Sequence, residues 1–331
     1  IKSDNNITIN AGGADNSGGQ FEVTGDARIV TTTANDTVDI QSDIAGVDVA
    51  GDGTSVESLL IDVHTGSNTG GTIKIAGNIA AASGDTDGNF KTVTLKGKDA
   101  VYLGGTITTA HNAADNDIDI DSDDVFLTAN TTLDTSANTG LIDISGKVNS
   151  DTGLTKDLTL KAKGGAITIH GIIGGTDNIG NLNINKDYDA GIGKITLNGV
   201  GASNKIGITG TVDVGHTGTT GIDLAGSYYR IDGDTIFMTA TAAEVIDIKA
   251  TQTIKTETGH SLEFSGGGIA LDDGADLTIT GGGSVTMTDL TVNSLEDISV
   301  SGTTVSAKAI GTTSNPANVV GLTGSTSVTL N

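Results

Sequence analysis

Cysteine and tryptophan are absent from this chain of 331 residues, and proline occurs once, at Pro316. Without cysteine, disulfides and thiolate metal sites are excluded. Basic residues are also scarce, with 17 Lys and Arg against 41 Asp and Glu, so the formal net charge is −24. This balance argues against nucleic acid and anionic lipid as partners, because both are bound through clusters of Lys and Arg.

Long apolar runs are missing as well, and none approaches the length of a membrane span. The opening residues Ile1–Asp4 lack the basic and apolar regions of a signal peptide. Strand-like residues begin at Ile7 and continue to Leu330, and neither end resembles a polar capping repeat. We therefore expect a processed product or a segment of a longer protein.

What the chain does contain is a recurring apolar–polar–apolar triplet, which is typical of a strand with one buried face. Successive triplets lie 24 residues apart in three series: 118–120 and 142–144; 158–160, 182–184 and 206–208; 222–224 and 246–248. A fixed period of this size predicts a repeat architecture. We predict an all-β fold, a parallel β-solenoid with coils of about 24 residues, and about 14 coils in total.

A β-sandwich array is the alternative, since its short strands also alternate with turns. The very short strands, the 24-residue period and the missing Trp favour the solenoid. We expect a single elongated domain over residues 1–331. The Thr/Ser/Asn-rich stretch 307–321 is a candidate loosened coil or link.

The stretches 165–185 and 191–199 contain a Gly-Ile-Ile-Gly-Gly turn, a Leu-x-Ile strand and an Ile-x-Leu-Asn-Gly strand. These units resemble repeats of filamentous-haemagglutinin-like adhesins and autotransporter passengers, which are secreted bacterial surface proteins. The resemblance implies a right-handed parallel β-helix, secretion, and an adhesive or surface-layer role. It implies no catalytic residue.

Stacked aspartates are the main candidate site. With a coil of 24 residues, Asp119 lies beside Asp143 and Asp223 beside Asp247, about 4.8 Å apart, so their charges repel. Bound calcium would relieve the repulsion, because carboxylate oxygens are suitable ligands. The alternative is a solvated acidic face with loose counterions. The candidate calcium ligands are Asp115, Asp117, Asp119, Asp121, Asp123, Asp143, Asp223 and Asp247.

An enzyme is a weaker interpretation. Paired carboxylates can hydrolyse glycosides, and β-helices do host polysaccharide-cleaving enzymes. Sugars, however, favour aromatic platforms, for which Tyr102, Tyr188, Tyr228 and Tyr229 are the obvious candidates. Zinc spacings, nucleophile elbows and phosphate loops are absent from the sequence. An ice- or mineral-binding solenoid would require a regular ladder of Thr, whereas Thr, Asp, Asn and Gly are mixed here.

The prediction for function is a non-enzymatic extracellular β-solenoid that forms part of a cell-surface fibre, layer or adhesin stalk. The alternative is a polysaccharide-binding or polysaccharide-cleaving β-helix. The expected partners are other copies of the chain, and a host-cell or polysaccharide ligand. Ile7, Ile9, Val328 and Leu330 are the candidate assembly residues, because they belong to the first and last clear strand patches.

Overall fold

A computed structural model describes residues 1–11, 19–47, 57–63, 70–83, 89–110, 116–137, 139–187, 192–241, 244–292, 296–310 and 317–330. All regular secondary structure in these ranges is β-strand. They contain no helix long and apolar enough to cross a membrane. Two compact units divide the chain, Ile1–Ile167 and Thr168–Asn331, and they are described separately below.

The first unit contains short strands separated by polar and Gly-rich turns. They are β1 (Lys2–Ser3), β2 (Ile7–Ile9), β3 (Gln20–Val23), β4 (Ala27–Thr31), β5 (Thr37–Ile40), β6 (Asp43–Gly46), β7 (Glu57–Asp62), β8 (Thr72–Ile75), β9 (Ile79–Ala81), β10 (Phe90–Leu103), β11 (Thr106–Thr108), β12 (Ile118–Leu127), β13 (Thr131–Asp134), β14 (Ile142–Ile144), β15 (Lys147–Ser150) and β16 (Leu158–Lys161). Strand β17 (Ile167–Ile169) contains the division between the units.

The second unit continues with strands of similar length. They are β18 (Leu182–Ile184), β19 (Ile195–Leu197), β20 (Val212–Gly215), β21 (Ile222–Leu224), β22 (Tyr228–Ile231), β23 (Thr235–Met238), β24 (Ile246–Ile248), β25 (Gln252–Thr256), β26 (Leu262–Ser265), β27 (Ile269–Leu271), β28 (Leu277–Thr280), β29 (Ser284–Met287), β30 (Leu290–Val292), β31 (Asp297–Ala307) and β32 (Val319–Leu330).

In each unit the strands stack in parallel on three faces. In the first unit the stacks are β1-β4-β7-β10-β12-β14, β2-β5-β8-β10-β12-β15 and β3-β6-β9-β11-β13-β16. In the second they are β19-β21-β24-β27-β30, β22-β25-β28-β31 and β18-β20-β23-β26-β29-β31-β32. The predicted all-β parallel β-solenoid is confirmed. A sandwich is excluded, because its sheets pair antiparallel strands.

The core consists of aliphatic columns that run from strand to strand. Ile118 and Ile120 are buried and pair in register with Ile142 and Ile144, while Asp119 between them is half-buried and points outward. The same buried–outward–buried alternation holds for Leu158–Leu160 and Leu182–Ile184. The predicted strand parity is therefore confirmed at these positions.

The length of a coil varies more than the sequence predicts. The 24-residue step is confirmed from Ile118 to Ile142 and from Ile222 to Ile246. Val38 pairs with Ile73, however, after 35 residues, and Leu277 pairs with Ile298 after 21. Over the described residues the solenoid has about 11 turns of roughly 25 residues, so the predicted number of about 14 is wrong.

One predicted series fails in the second unit. Leu182 pairs with Val212, which is 30 residues further on, whereas the sequence predicted Ile206. Ile206 lies outside the strands and is half-buried. The reason is a small hairpin, in which Ala202 and Lys205 exchange two backbone hydrogen bonds of 2.9 and 3.1 Å. The extra residues of the hairpin lengthen this coil.

Strand β10 is continuous but contains a bend, where the pairing register shifts between Gly97 and Ala100. A Cβ atom at Gly97 would lie 2.7 Å from the Ala100 carbonyl oxygen. The missing side chain therefore allows the chain to bend without leaving the ladder.

The predicted link 307–321 falls partly within strands, because Ala307 ends β31 and Val319 begins β32. Ile310 forms one parallel bridge to Leu290. Residues 311–316, which include the single proline, lie outside the described residues.

Candidate functional site

The first aspartate ladder has the predicted geometry. Asp119 pairs in register with Asp143 on neighbouring strands. Partial burial raises the pKa of the Asp119 carboxyl, and the negative charges of Asp143 and Asp121 raise it further, against a smaller opposing effect of Lys96. Two carboxylates on one outward column therefore repel each other at neutral pH.

The acidic run around this ladder has mainly structural contacts. Asp117 accepts a hydrogen bond from the Leu141 backbone N–H at 2.8 Å. Asp123 forms an ion pair with Lys98 at 3.1 Å. Asp121 pairs in register with Lys96 on β10. Asp115 lies outside the described residues. The run is thus divided among several neighbours rather than gathered around one point.

The second ladder has the predicted register but a different charge environment. Asp223 pairs in register with Asp247. The Lys194 ammonium lies 2.8 Å from Asp223, and that of Lys249 lies 3.0 Å from Asp247 and 3.5 Å from Asp272. Burial lowers the pKa of Lys249, but its hydrogen bond to Asp247 and the surrounding carboxylates outweigh this and raise it overall. The lysines offset the repulsion that the sequence analysis assigned to this ladder.

Sequence reasoning missed these lysines, although a signal was present. Lys249 follows Asp247 by two residues, so the two side chains lie on the same face of the chain. Among the described residues, no group of three or more His, Cys, Asp or Glu side chains could hold a metal ion.

The tyrosines have three different environments. Tyr229 is buried, and its hydroxyl donates a hydrogen bond of 2.7 Å to the Leu197 carbonyl oxygen. Tyr102 is half-buried and points outward, with its ring stacked on Phe126 at 5.0 Å between centroids. Tyr228 is exposed and lines a surface depression. Tyr188 lies outside the described residues. Tyr229 is therefore a core residue and cannot serve as a surface platform.

The candidate assembly residues differ in exposure. Ile7 is 8% exposed and Ile9 is half-buried, whereas Val328 is 44% and Leu330 65% exposed. Among the described strands, β32 pairs with β31 alone. The backbone groups and apolar side chains of β32 on the side away from β31 are thus not covered by any other described strand.

Comparison with family models, curated proteins and solved structures finds no match to this chain.

Proposed function

We propose that this chain is a non-enzymatic, extracellular structural or adhesive β-solenoid that self-associates as part of a cell-surface fibre, layer or adhesin stalk. The single observation that carries the proposal is the edge of β32, whose exposed apolar side chains no other described strand covers. The resemblance of stretches 165–185 and 191–199 to secreted adhesin repeats supports the extracellular location, as does a charge of −24.

The side chains of β32 continue buried columns. Val320 pairs in register with Ile298, which is buried, and Val328 pairs with Val305, which is also buried. Val320 and Val328 are nevertheless each 44% exposed. A strand laid on this edge would pair its backbone with β32 and cover these columns. In a second copy, the complementary edge is the first coil, where β2 pairs with β5.

Lateral contacts are less favourable than end contacts. Outward positions along the strands carry Asp, Thr, Asn and Lys, and like charges on two copies repel. A head-to-tail contact is heterologous and does not close on itself, so it extends an assembly in one direction.

The test is the molar mass of the purified chain at micromolar concentration, measured by light scattering after gel filtration. We expect assemblies for the native chain and monomers for Val320→Lys combined with Val328→Lys, because each ammonium group would lie in a column that the second strand buries and would have no partner there. Val319→Lys is the matched control, since Val319 pairs with the exposed Asp297 and points outward. A native chain that stays monomeric would contradict the proposal, as would equal assembly of all three proteins.

Calcium is a proposed ligand of the Asp119–Asp143 ladder. A divalent cation bridging two carboxylates on one column would offset their repulsion and stabilise the folded state by mass action. The raised pKa of Asp119, caused by burial and by the charges of Asp143 and Asp121, supports this choice.

Polysaccharide binding is the second candidate function. This function is favoured by the exposed ring of Tyr228, which lies beside a depression whose described lining residues are all uncharged. The depression gives the adhesive function a ligand class, which is argued next.

A further inference from the structure

An outward column in the second unit contains a gap one coil high. The inward residues Ile173, Val200 and Tyr229 are bridged in parallel from coil to coil. The residues that precede them, Ile172, Gly199 and Tyr228, therefore form the neighbouring outward column. Glycine has no side chain, so the middle position of this column is empty above the backbone.

The width of the gap follows from the strand spacing. Two steps of about 4.8 Å separate Ile172 from Tyr228 by about 9.6 Å. A molecule between the Ile172 and Tyr228 side chains keeps a van der Waals distance of about 4 Å from each of them. These two contact distances account for about 8 Å of the separation. One puckered ring fills such a slot, whereas a flat aromatic ring, with contacts at about 3.5 Å, fills less of it.

The walls and floor of the slot are built by the fold. Ile172 is 39% and Tyr228 41% exposed, and both line a depression of about 400 Å³ together with Gly199 and Gly226. Gly199 has a φ of +117°, a conformation that other residues rarely adopt. A side chain at Gly226 would clash with the Asn198 carbonyl oxygen. The open floor is thus required by the backbone and is not a chance absence of side chains.

The polar groups at the rim are neutral. Asn198 is exposed, and its amide Nδ2 donates a 2.6 Å hydrogen bond to the His170 carbonyl oxygen, which leaves its side-chain oxygen directed elsewhere as an acceptor. Ser227 is exposed and adds a hydroxyl group. Among the described residues that line the depression none is charged, although 18% of the chain is.

We propose that this slot, between Ile172 and Tyr228 over Gly199, binds a pyranose ring of a neutral polysaccharide. The apolar C–H face of the sugar would lie on the Tyr228 ring, and its hydroxyls would bond Asn198 and Ser227. An acidic polysaccharide is disfavoured, because the net charge of the chain is −24 and the lining residues that the structure describes include no basic one. This proposal rests on the adhesive function proposed above and names its ligand class.

The outward Tyr102 of the first unit provides the contrast. Its ring is stacked on Phe126 at 5.0 Å, and the Lys74 ammonium lies 5.6 Å from its centroid. Side chains of the neighbouring coils thus occupy both sides of this ring along its column. The Gly199 side of Tyr228 has no such neighbour, so the two tyrosines differ in access.

The test is calorimetric titration of the full chain with three probes. These are hexaoses of β-1,4-linked glucose and of β-1,4-linked N-acetylglucosamine, and an oligogalacturonate as the acidic counterpart. We expect binding of at least one neutral hexaose and none of the oligogalacturonate. Tyr228→Ser should weaken binding about tenfold, since the loss of an aromatic contact costs about 1.4 kcal/mol. Tyr228→Phe, which keeps the ring, should retain most of the affinity.

The matched control is Tyr102→Ser, which should bind like the native chain. All variants are compared at equal folded fraction by circular dichroism. Failure of both neutral hexaoses to bind at millimolar concentration, or equal loss in the Tyr228 and Tyr102 variants, would overturn the proposal. A change in molar mass with Tyr228→Ser would also overturn it, because the slot would then hold a second copy of the chain. The β32 variants test self-association independently, so a failed titration leaves that result standing.

Discussion

The two aspartate ladders have the same local sequence and different electrostatics. Each ladder consists of two strands with the sequence Ile-Asp-Ile or Ile-Asp-Leu. The two aspartates pair in register on neighbouring coils, 24 residues apart. In the ladder of Asp223 and Asp247, two lysines from neighbouring positions lie within 3.0 Å of the carboxylates. At Asp119, burial and nearby carboxylates instead raise the pKa. The strand pattern determines the register, and the neighbouring columns determine the charge balance.

The largest expected effect comes from a charge placed in the buried aliphatic columns that flank the two ladders. Ile120→Asp and Ile248→Asp each place a charge in a fully buried aliphatic column. Each should destabilise the fold by about 4 kcal/mol or more, because the buried charge has no partner. Urea denaturation would measure this. A loss below 1 kcal/mol in either variant would contradict the inward placement of that residue.

A smaller loss of stability is expected when one of the lysines beside the second ladder is removed. Lys249→Met removes the ammonium beside Asp247 and Asp272, and we expect a loss of about 0.5–1 kcal/mol at pH 7. The pKa of Lys249 is raised above its usual 10.5 in the folded state, so its contribution is complete below pH 10.5 and lost as pH rises through the raised value.

Thermal denaturation over a series of pH values rising from 7 measures this difference. The stability difference between the native chain and Lys249→Met should shrink as the pH rises above 10.5. Lys308→Met at an exposed position outside the strands is the control and should change little at any pH of the series. An undiminished difference at high pH would show that lost packing, and not charge, explains the effect.

Replacing an aspartate by asparagine should change the free energy of unfolding in opposite directions in the two ladders. Asp119→Asn removes a repelled carboxylate and should stabilise by about 0.2–1 kcal/mol at pH 7, whereas Asp247→Asn removes a partner of Lys249 and should destabilise by a similar amount. Because the folded-state pKa of Asp119 is raised, the native chain loses stability as pH rises through that value. Below pH 3.8 the gain from Asp119→Asn should vanish. Equal signs for the two variants would refute the contrast between the ladders.

The smallest effect concerns calcium. At a concentration equal to its dissociation constant, a bound ion stabilises by about 0.4 kcal/mol, which raises the melting temperature by about one degree. We expect this shift in the native chain and in Asp247→Asn, but not in Asp119→Asn. The scans are run at constant ionic strength, with a chelator as the blank. A melting temperature that calcium leaves unchanged would reject binding at the first ladder.

The strand parity of Ile118, Ile142 and Ile246 was predictable, because alternation at period 2 reports which face is buried. The partner of Leu182 was not, since a hairpin at 202–205 adds residues that a fixed period cannot anticipate. The lysines beside the second ladder were missed because they come from adjacent positions that the triplets do not include. The slot over Gly199 was missed too, because it depends on which residues of three different coils share a column.

The hairpin at 202–205 separates distance along the sequence from distance in space. Val200 and Ile208 lie eight positions apart, yet they bridge to Tyr229 and Ile231, two positions apart on the same strand. The coil therefore absorbs the additional residues outward and keeps its rise unchanged. Insertions at such a position change the residues exposed on the surface, whereas the spacing between neighbouring coils stays the same. A peptide grafted between Ala202 and Lys205 would accordingly be presented on an unchanged scaffold.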